Sequence, residues 1–368
     1  MATTPELVLA GRLEATLGQA LSARGAVDRA VFAIDFAEGR FHLNQIEGAV
    51  LAIDEWRDAP FGLSVSEARM TLSGADGRYA GLIAARVSGP LALGESVRIA
   101  NVSARLDAAF AYADRRLRLT LRDPDLLSLG AIRIDGPSPI DVAPLAIALA
   151  PDAETAVVEA RLDDDGSIAW QVSADFAPVQ GEARLAASEA DSTTIDITLP
   201  PLRLEGSGRV GGEAVRVQMA LSGRGGEARI RAPGEIMPGL PRSVSARGLD
   251  IEIKTTDAGT ATVRVDVATL AHDASRPLVM PMTARATATL DAAGFDFDVR
   301  FTEPSGNVVL DFSGRHDVAR GAGAGTVKLH PVRFLEGGFQ PDRLSPYAAD
   351  RIGATTGTVT VAGDVNWS

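Results

Sequence analysis

Residues 280–301, MPMTARATATLDAAGFDFDVRF, alternate between apolar and polar side chains with a period of two. Met280, Met282, Ala284, Ala286, Ala288 and Leu290 share one parity, with Thr283, Arg285, Thr287 and Thr289 between them. After Asp291-Ala292-Ala293-Gly294 the alternation resumes as Phe295, Phe297, Val299 and Phe301 against Asp296, Asp298, Arg300 and Thr302. Successive side chains on a strand point to opposite faces, so the stretch predicts a hairpin with one oily and one wet face. A helix would need its apolar residues three and four apart, and this spacing puts charges all round it. The helical reading fails.

The same alternation recurs along the chain. Phe32, Ile34 and Phe36 followed by Phe41 and Leu43 predict a hairpin across Ala37-Glu38-Gly39-Arg40. Val158, Ala160 and Leu162 lead through Asp163-Asp164-Asp165-Gly166 into Ile168, Trp170, Val172, Ala174 and Phe176, and Asp-Gly between alternating runs is a strong hairpin signal. Further members are Ile195 and Ile197, Val217 and Met219, Ile251 and Ile253, Val263 and Val265, then Leu310 and Phe312. Residues 102–121 fit two patterns: Val102, Ala104, Leu106, Ala108, Phe110 and Tyr112 alternate, while Leu106, Phe110, Ala113, Leu117 and Leu121 form a helical stripe. Leu117-Arg118-Leu119-Thr120-Leu121 alternates and no N-cap precedes the segment, which favours strand.

About twenty such strands joined by short turns predict an all-β chain in which sequence neighbours pair antiparallel. The expected architecture is an elongated, twisted antiparallel sheet of sequential hairpins curled into an open groove, with few short helices. Pro137, Pro139 and Pro144 break residues 124–150, a candidate interruption or short helix between a hairpin array over 1–123 and another over 151–368. Pro341 to Ile352 reads as a short helix, since Pro341 suits a first turn, Asp342 favours the positive end, and Leu344, Ala348 and Ile352 share a face.

The search for chemistry is negative. The four histidines, His42, His272, His316 and His330, lack metal-ligand spacing and read as surface or strand-end residues, and no HExxH, Walker A or GxSxG pattern occurs. Gly321-Ala322-Gly323-Ala324-Gly325 precedes no helix and reads as a flexible hairpin connection. Asp296 and Asp298 share the wet face of one strand, which is a solvated face and not a catalytic pair. The chain contains no cysteine, so disulfides and thiol chemistry are excluded. A net charge of −12 without a Lys/Arg cluster argues against nucleic acid. The expectation is a protein that is not an enzyme and needs neither metal nor cofactor.

What remains is the apolar face. Its candidate lining residues are Phe110, Leu119, Ile168, Trp170, Val172, Phe176, Ile195, Ile197, Val217, Met219, Ile251, Ile253, Val265, Met282, Phe295, Phe297, Val299, Phe301, Leu310 and Phe312. Two readings stay open: these residues pack on one another as a closed sandwich core of a structural or adhesive array, or part of the face is open to acyl chains. An outer-membrane barrel would need aromatic girdles, and three Trp and three Tyr do not supply them.

The C-terminal run narrows the choice. Phe334, Gly337-Gly338-Phe339-Gln340-Pro341, Leu344-Ser345-Pro346 and the closing Gly357-Thr358-Val359-Thr360-Val361-Ala362-Gly363-Asp364-Val365-Asn366-Trp367 resemble the YdbH-like branch of the AsmA superfamily. The resemblance is confined to residues 330–367. It implies an envelope protein of Gram-negative bacteria, anchored in the inner membrane by an N-terminal helix and extending through the periplasm as a curled, lipid-lined sheet. Its implied cargo is phospholipid, passed along the groove between the inner and outer membranes. The sequence departs from that family in lacking the anchor and the downstream half expected after Trp367, and alternation runs to both its ends, so the expectation is a piece of a longer exported chain.

Overall fold

A computed structural model describes residues 6–367 apart from 18–20, 38–39, 59–62, 76, 94–96, 123–126, 136–138, 152–155, 187–191, 211–215, 238–239, 256–259, 292, 318–319, 348 and 350. Over residues 6–63 it is the backbone pairing that is described, and side chains are described largely from residue 64 onward. The chain is all-β with few helices: strand accounts for 76% and helix for 2%. In chain order the strands are β1 (Glu6–Leu17), β2 (Leu21–Ala37), β3 (Arg40–Asp58), β4 (Leu63–Ala75), β5 (Arg78–Leu93), β6 (Val97–Ala113), β7 (Arg116–Leu121) and β8 (Leu127–Leu129). Then come β9 (Ile132–Ile134), β10 (Ile140–Val142), β11 (Leu145–Ile147), β12 (Ala156–Leu162), β13 (Ile168–Phe176), β14 (Val179–Ala186), β15 (Ser192–Leu199) and β16 (Leu202–Val210). The last are β17 (Arg216–Met237), β18 (Leu240–Thr255), β19 (Ala261–His272), β20 (Met282–Leu290), β21 (Gly294–Thr302), β22 (Val309–Asp317), β23 (Ala322–Phe334), the helix α1 (Pro341–Leu344) and β24 (Gly357–Trp367). They form two compact units interleaved in sequence, Met1–Arg133 with Pro144–Ala177 and Leu204–Val217, and Ile134–Ala143 with Pro178–Arg203 and Gln218–Ser368.

In the first unit β1 to β6 pair antiparallel in chain order. The turn expected across Ala37–Arg40 includes residues 38–39, which lie outside the described ones. The long strand β6 offers its far edge to two partners, β8 along Val102–Ala104 and β7 along Ala108–Ala113. β7 continues to β12 and β13, and β8 to β11. The ambiguous segment 102–121 is strand, in two pieces. Asp114 and Arg115 at its turn both have positive φ, 50° and 62°, the backbone of a two-residue hairpin that matches the right-handed twist of its strands. Residues 124–150 carry no helix among those described; they contribute the three-residue strands β8 to β11. Pro139 and Pro144 flank β10 and cannot donate to a ladder, which keeps it short.

In the second unit β10 pairs with β14, β14 with β15, β15 with β17, and β17 through β24 pair in unbroken chain order, all antiparallel. Register breaks align across this ladder. β17 is irregular around Gly223–Glu227, β18 turns through Gly248 at φ 63°, and β19 shifts between Val267 and Leu270. A Cβ on Gly248 would stand 2.8 Å from that of Ala268, so glycine is needed at the crossing. Each break exchanges strand parity, and the apolar residues exchange with it: Val263, Val265 and Val267 are followed by Leu270. β23 repeats the device at His330-Pro331, between Leu329 and Val332, and a bulge is where a strand tolerates proline.

The helix expected over 341–352 is only Pro341–Leu344. Pro346 disfavours helical backbone at Ser345, whose φ of −130° and ψ of 94° are extended, so the first turn is also the last. Ala348 lies outside the described residues, and Ile352 is exposed.

Candidate functional site

The register of the second unit builds one apolar wall. From β17 to β24 the cross-strand partners Gly223, Ile251, Val265, Ala286, Val299, Phe312, Val327 and Gly363 form one row. Leu221, Ile253, Val263, Ala288, Phe297, Gly314, Gly325 and Val365 form the next, and Leu249, Val267, Ala284, Phe301, Leu310, Leu329 and Val361 a third. At about 4.8 Å per strand, eight strands make a wall on the order of 34 Å across. Most of its side chains are half-buried, and at its β17 edge Leu202 and Pro200 lie over Gly223, where a Cβ would stand 2.7 Å from Leu202 Cδ2. Ala284, Ala286, Ala288, Gly314 and Gly325 make its middle shallow.

Both ends of the wall are furnished differently from its middle. At one end Val308, Val332 and Phe334 are buried together, with Met282, Leu329, Phe339 and Leu344 against them. Phe334 and Phe339 stack with centroids 6.0 Å apart, and the amide of Met280 donates to Leu344 O, so α1 is tied down as a plug. At the other end Phe295, Phe297, Phe312, His316 and Trp367 cluster with ring centroids 5.0–6.3 Å apart. The Trp367 indole donates from Nε1 to Nδ1 of His316 at 3.0 Å. Glycines make the floor for these rings. A Cβ on Gly323 would stand 2.3 Å from Cζ2 of Trp367, and one on Gly325 would stand 3.1 Å from Cε2 of Phe312. Gly323 and Gly325, expected in a flexible connection, therefore lie inside β23 because aromatic rings occupy the space of their side chains.

The opposite face of the same strands is a ladder of ion pairs. Arg300 grips Asp311 through two bonds of 2.7 and 3.0 Å, and His330 Nε2 adds a third at 2.8 Å. Arg264 and Arg285 converge on Asp266, and Arg315 spans Asp296 and Asp291. The paired carboxylates Asp296 and Asp298 sit on this face, Asp296 bound to Arg315. Hydrogen bonds from Arg300 and then His330 hold the Asp311 carboxyl well below the usual range; Arg285 does the same for Asp266 and Arg315 for Asp291. Depressed carboxyl pKa values stabilise the fold above the unfolded value near 4, and that contribution is lost as pH falls through the folded values. The melting temperature should accordingly hold between pH 5 and pH 8 and fall below pH 4. Differential scanning calorimetry over that range checks it, and a flat profile down to pH 3 would contradict it.

Ten of the candidate residues, Ile251, Ile253, Val265, Met282, Phe295, Phe297, Val299, Phe301, Leu310 and Phe312, share this wall. Ile195 and Ile197 of β15 pair with Ile230 and Ala228 of β17, whereas Met219 lies apart from them toward the start of β17, its amide donating to Thr255 Oγ1. Val217 is exposed near the start of β17. In the first unit Phe110, Leu119, Val158 and Val172 form one row, and Tyr112, Leu117, Ala160 and Trp170 the next. Ile168 pairs with Leu162 at the hairpin tip, and both are exposed. Phe176 packs against the buried Leu149, Ala156 and Ala174. A hollow of about 800 Å³ opens in this unit, lined by Arg116, Arg118, Glu159, Arg161, Trp170 and Gln171. Glu159 there accepts from Gln171 at 2.6 Å and pairs with Arg118 at 3.6 Å, so the charged part of the lining is partly self-satisfied, beside Leu117, Ala160 and Ala169.

Sequence reasoning left Trp367, His316 and the glycine floor out of the wall. The parity of Val361, Val365 and Trp367 was the signal for the first. Compared with family models, with characterised proteins and with solved structures, the chain finds no match. No described helix is long and apolar enough to cross a membrane.

Proposed function

We propose that the chain is a segment of an intermembrane phospholipid carrier and that the apolar wall of the second unit holds acyl chains. The observation that carries the reading is the wall itself: three continuous rows of apolar side chains, half-buried, with a shallow alanine and glycine middle and only its ends filled. Burial of a methylene is worth about 0.8 kcal/mol, and a wall of similar aliphatic residues offers that gain with little variation along it. Phospholipid tails are thereby held without one preferred stopping place. The ion-pair ladder satisfies the other face within the sheet. The resemblance of residues 330–367 to the YdbH-like branch of the AsmA superfamily supports the same reading and supplies its setting, the periplasm between an inner-membrane anchor and the outer membrane. On this reading the protein carries and does not catalyse.

A photo-crosslinking side chain at Val299 is expected to capture phospholipid in cells or in detergent-free extract, and one at Thr287, on the opposite face of the neighbouring strand, is expected to capture none. Mass spectrometry of the adduct identifies the lipid. Equal capture at both sites, or none at Val299, would refute the wall as a lipid site. The competing reading, a structural array with a closed core, has one observation in its favour: the plug at Phe334 is a genuine packed cluster.

A further inference from the structure

In the first unit Arg116 of β7 and Arg161 of β12 are direct cross-strand partners. The ladder from β6 to β13 sets Ala113, Arg116, Arg161 and Ala169 in one row and Ala111, Arg118, Glu159 and Gln171 in the next. Like charges directly opposite one another are destabilising. Arg161 is relieved by Asp163 at 2.7 Å, but among the described residues Arg116 has no ion pair. Glu159 does not supply one, since it takes its short bond from Gln171 and stands 3.6 Å from Arg118. The second unit handles the same situation differently. Arg285 and Arg300 are also cross-strand partners there, and each holds its own aspartate, Asp266 and Asp311. The hollow of about 800 Å³ opens over the two arginine rows, where Ala111, Ala113, Ala169 and Ser207 leave room around the guanidinium groups.

We propose that this hollow binds a phosphate oxyanion, gripped by Arg116 together with Arg118 and Arg161. An arginine fork meets two phosphate oxygens at once. Partners across a ladder stand about 5 Å apart and alternate residues along a strand about 7 Å apart, so three such side chains can converge on one phosphate. Three arginines against Asp114 and Glu159 leave the charged lining with one net positive charge, in a chain whose net charge is −12. That local reversal of sign draws an anion to this place and not to the rest of the surface. A bound phosphate offsets the repulsion that the fold leaves in place between Arg116 and Arg161. Soluble phosphate esters and phospholipid headgroups offer the same chemistry, and nothing in this grip depends on the apolar wall of the second unit.

Isothermal titration calorimetry of the full chain with glycerol phosphate, and flotation with phosphatidylcholine vesicles with and without phosphatidic acid, separate the two sources. Arg116→Gln is expected to weaken binding about tenfold or more in whichever arm shows it. Because it removes one of two opposed like charges, it should also leave the melting temperature at or above that of the wild type. Glu159→Gln takes a carboxylate from the lining and should tighten binding at low salt. Arg333→Gln removes the same charge from an exposed position of the second unit and should change neither binding nor melting. Glycerol phosphate binding that R116Q weakens assigns a soluble ester, and binding confined to phosphatidic acid vesicles and weakened likewise assigns a headgroup. Four results would overturn the site: no binding in either arm, binding that R116Q spares or R333Q weakens equally, no gain with E159Q, or a melting temperature that falls with R116Q.

Discussion

Ala286→Asp is expected to strip bound phospholipid from the protein while leaving its melting temperature within a few degrees of the wild type. Ala286 is half-buried in the middle of the apolar wall, between Val265 and Val299 on the flanking strands. With nothing seated there, the carboxylate reaches water and costs little. Beneath an acyl chain the same carboxylate would lose its water with no cation opposite, a penalty of several kcal/mol. Since each 1.4 kcal/mol is a factor of ten, affinity for lipid should drop by about 100-fold or more. Phosphorus content per protein, measured beside a thermal melt, reads both effects. If the wall were instead a sealed core, the charge would unfold the unit and the melting temperature would collapse, which is the outcome that favours a closed array.

Phe334→Ala is expected to have the opposite signature, a large loss of stability. Phe334 is buried with Val308 and Val332 and stacks on Phe339. Truncating a buried phenylalanine costs about 3–5 kcal/mol, because the cavity it leaves collapses only in part. For a unit of this size that corresponds to a drop in melting temperature on the order of 10 °C. Chemical denaturation gives the free energy directly. A loss below about 1 kcal/mol would mean that the plug is a loose flap and not a packed end.

Much of this architecture was legible because period-two alternation is a local property. The hairpin of residues 282–302 could be read residue by residue, as could the turn at Asp163–Gly166, and the strands over 102–121 followed from Leu117–Leu121. What could not be read were the events that depend on neighbouring strands. The aligned irregularities at Gly223–Glu227, Gly248 and Val267–Leu270 change parity in three strands at once, and no single strand announces that the others compensate. The Asp114–Arg115 turn lacks the glycine that marks such turns. Gly323 and Gly325 look like a loop until Trp367 and Phe312 are seen lying over them, and that contact joins residues far apart in the chain. The helix over 341–352 failed for a local reason that was available: Pro346 forbids its continuation. For the wall, alternation identified which side chains share a face within each strand, while the ordering of those faces into rows came only from the register.

The ion-pair ladder behind the wall has a mechanical consequence. A layered core stiffens a sheet by clamping it from one side, as a veneer stiffens a board. Here the backs of the strands are linked chiefly by exposed arginine and carboxylate pairs, each weak in water and each able to break and reform separately. A sheet braced in this way is compliant across its strands and stiff along them. If the wall holds acyl chains as proposed, chains of different girth are accommodated by flexure, with no rotamer on the oily side having to be rebuilt.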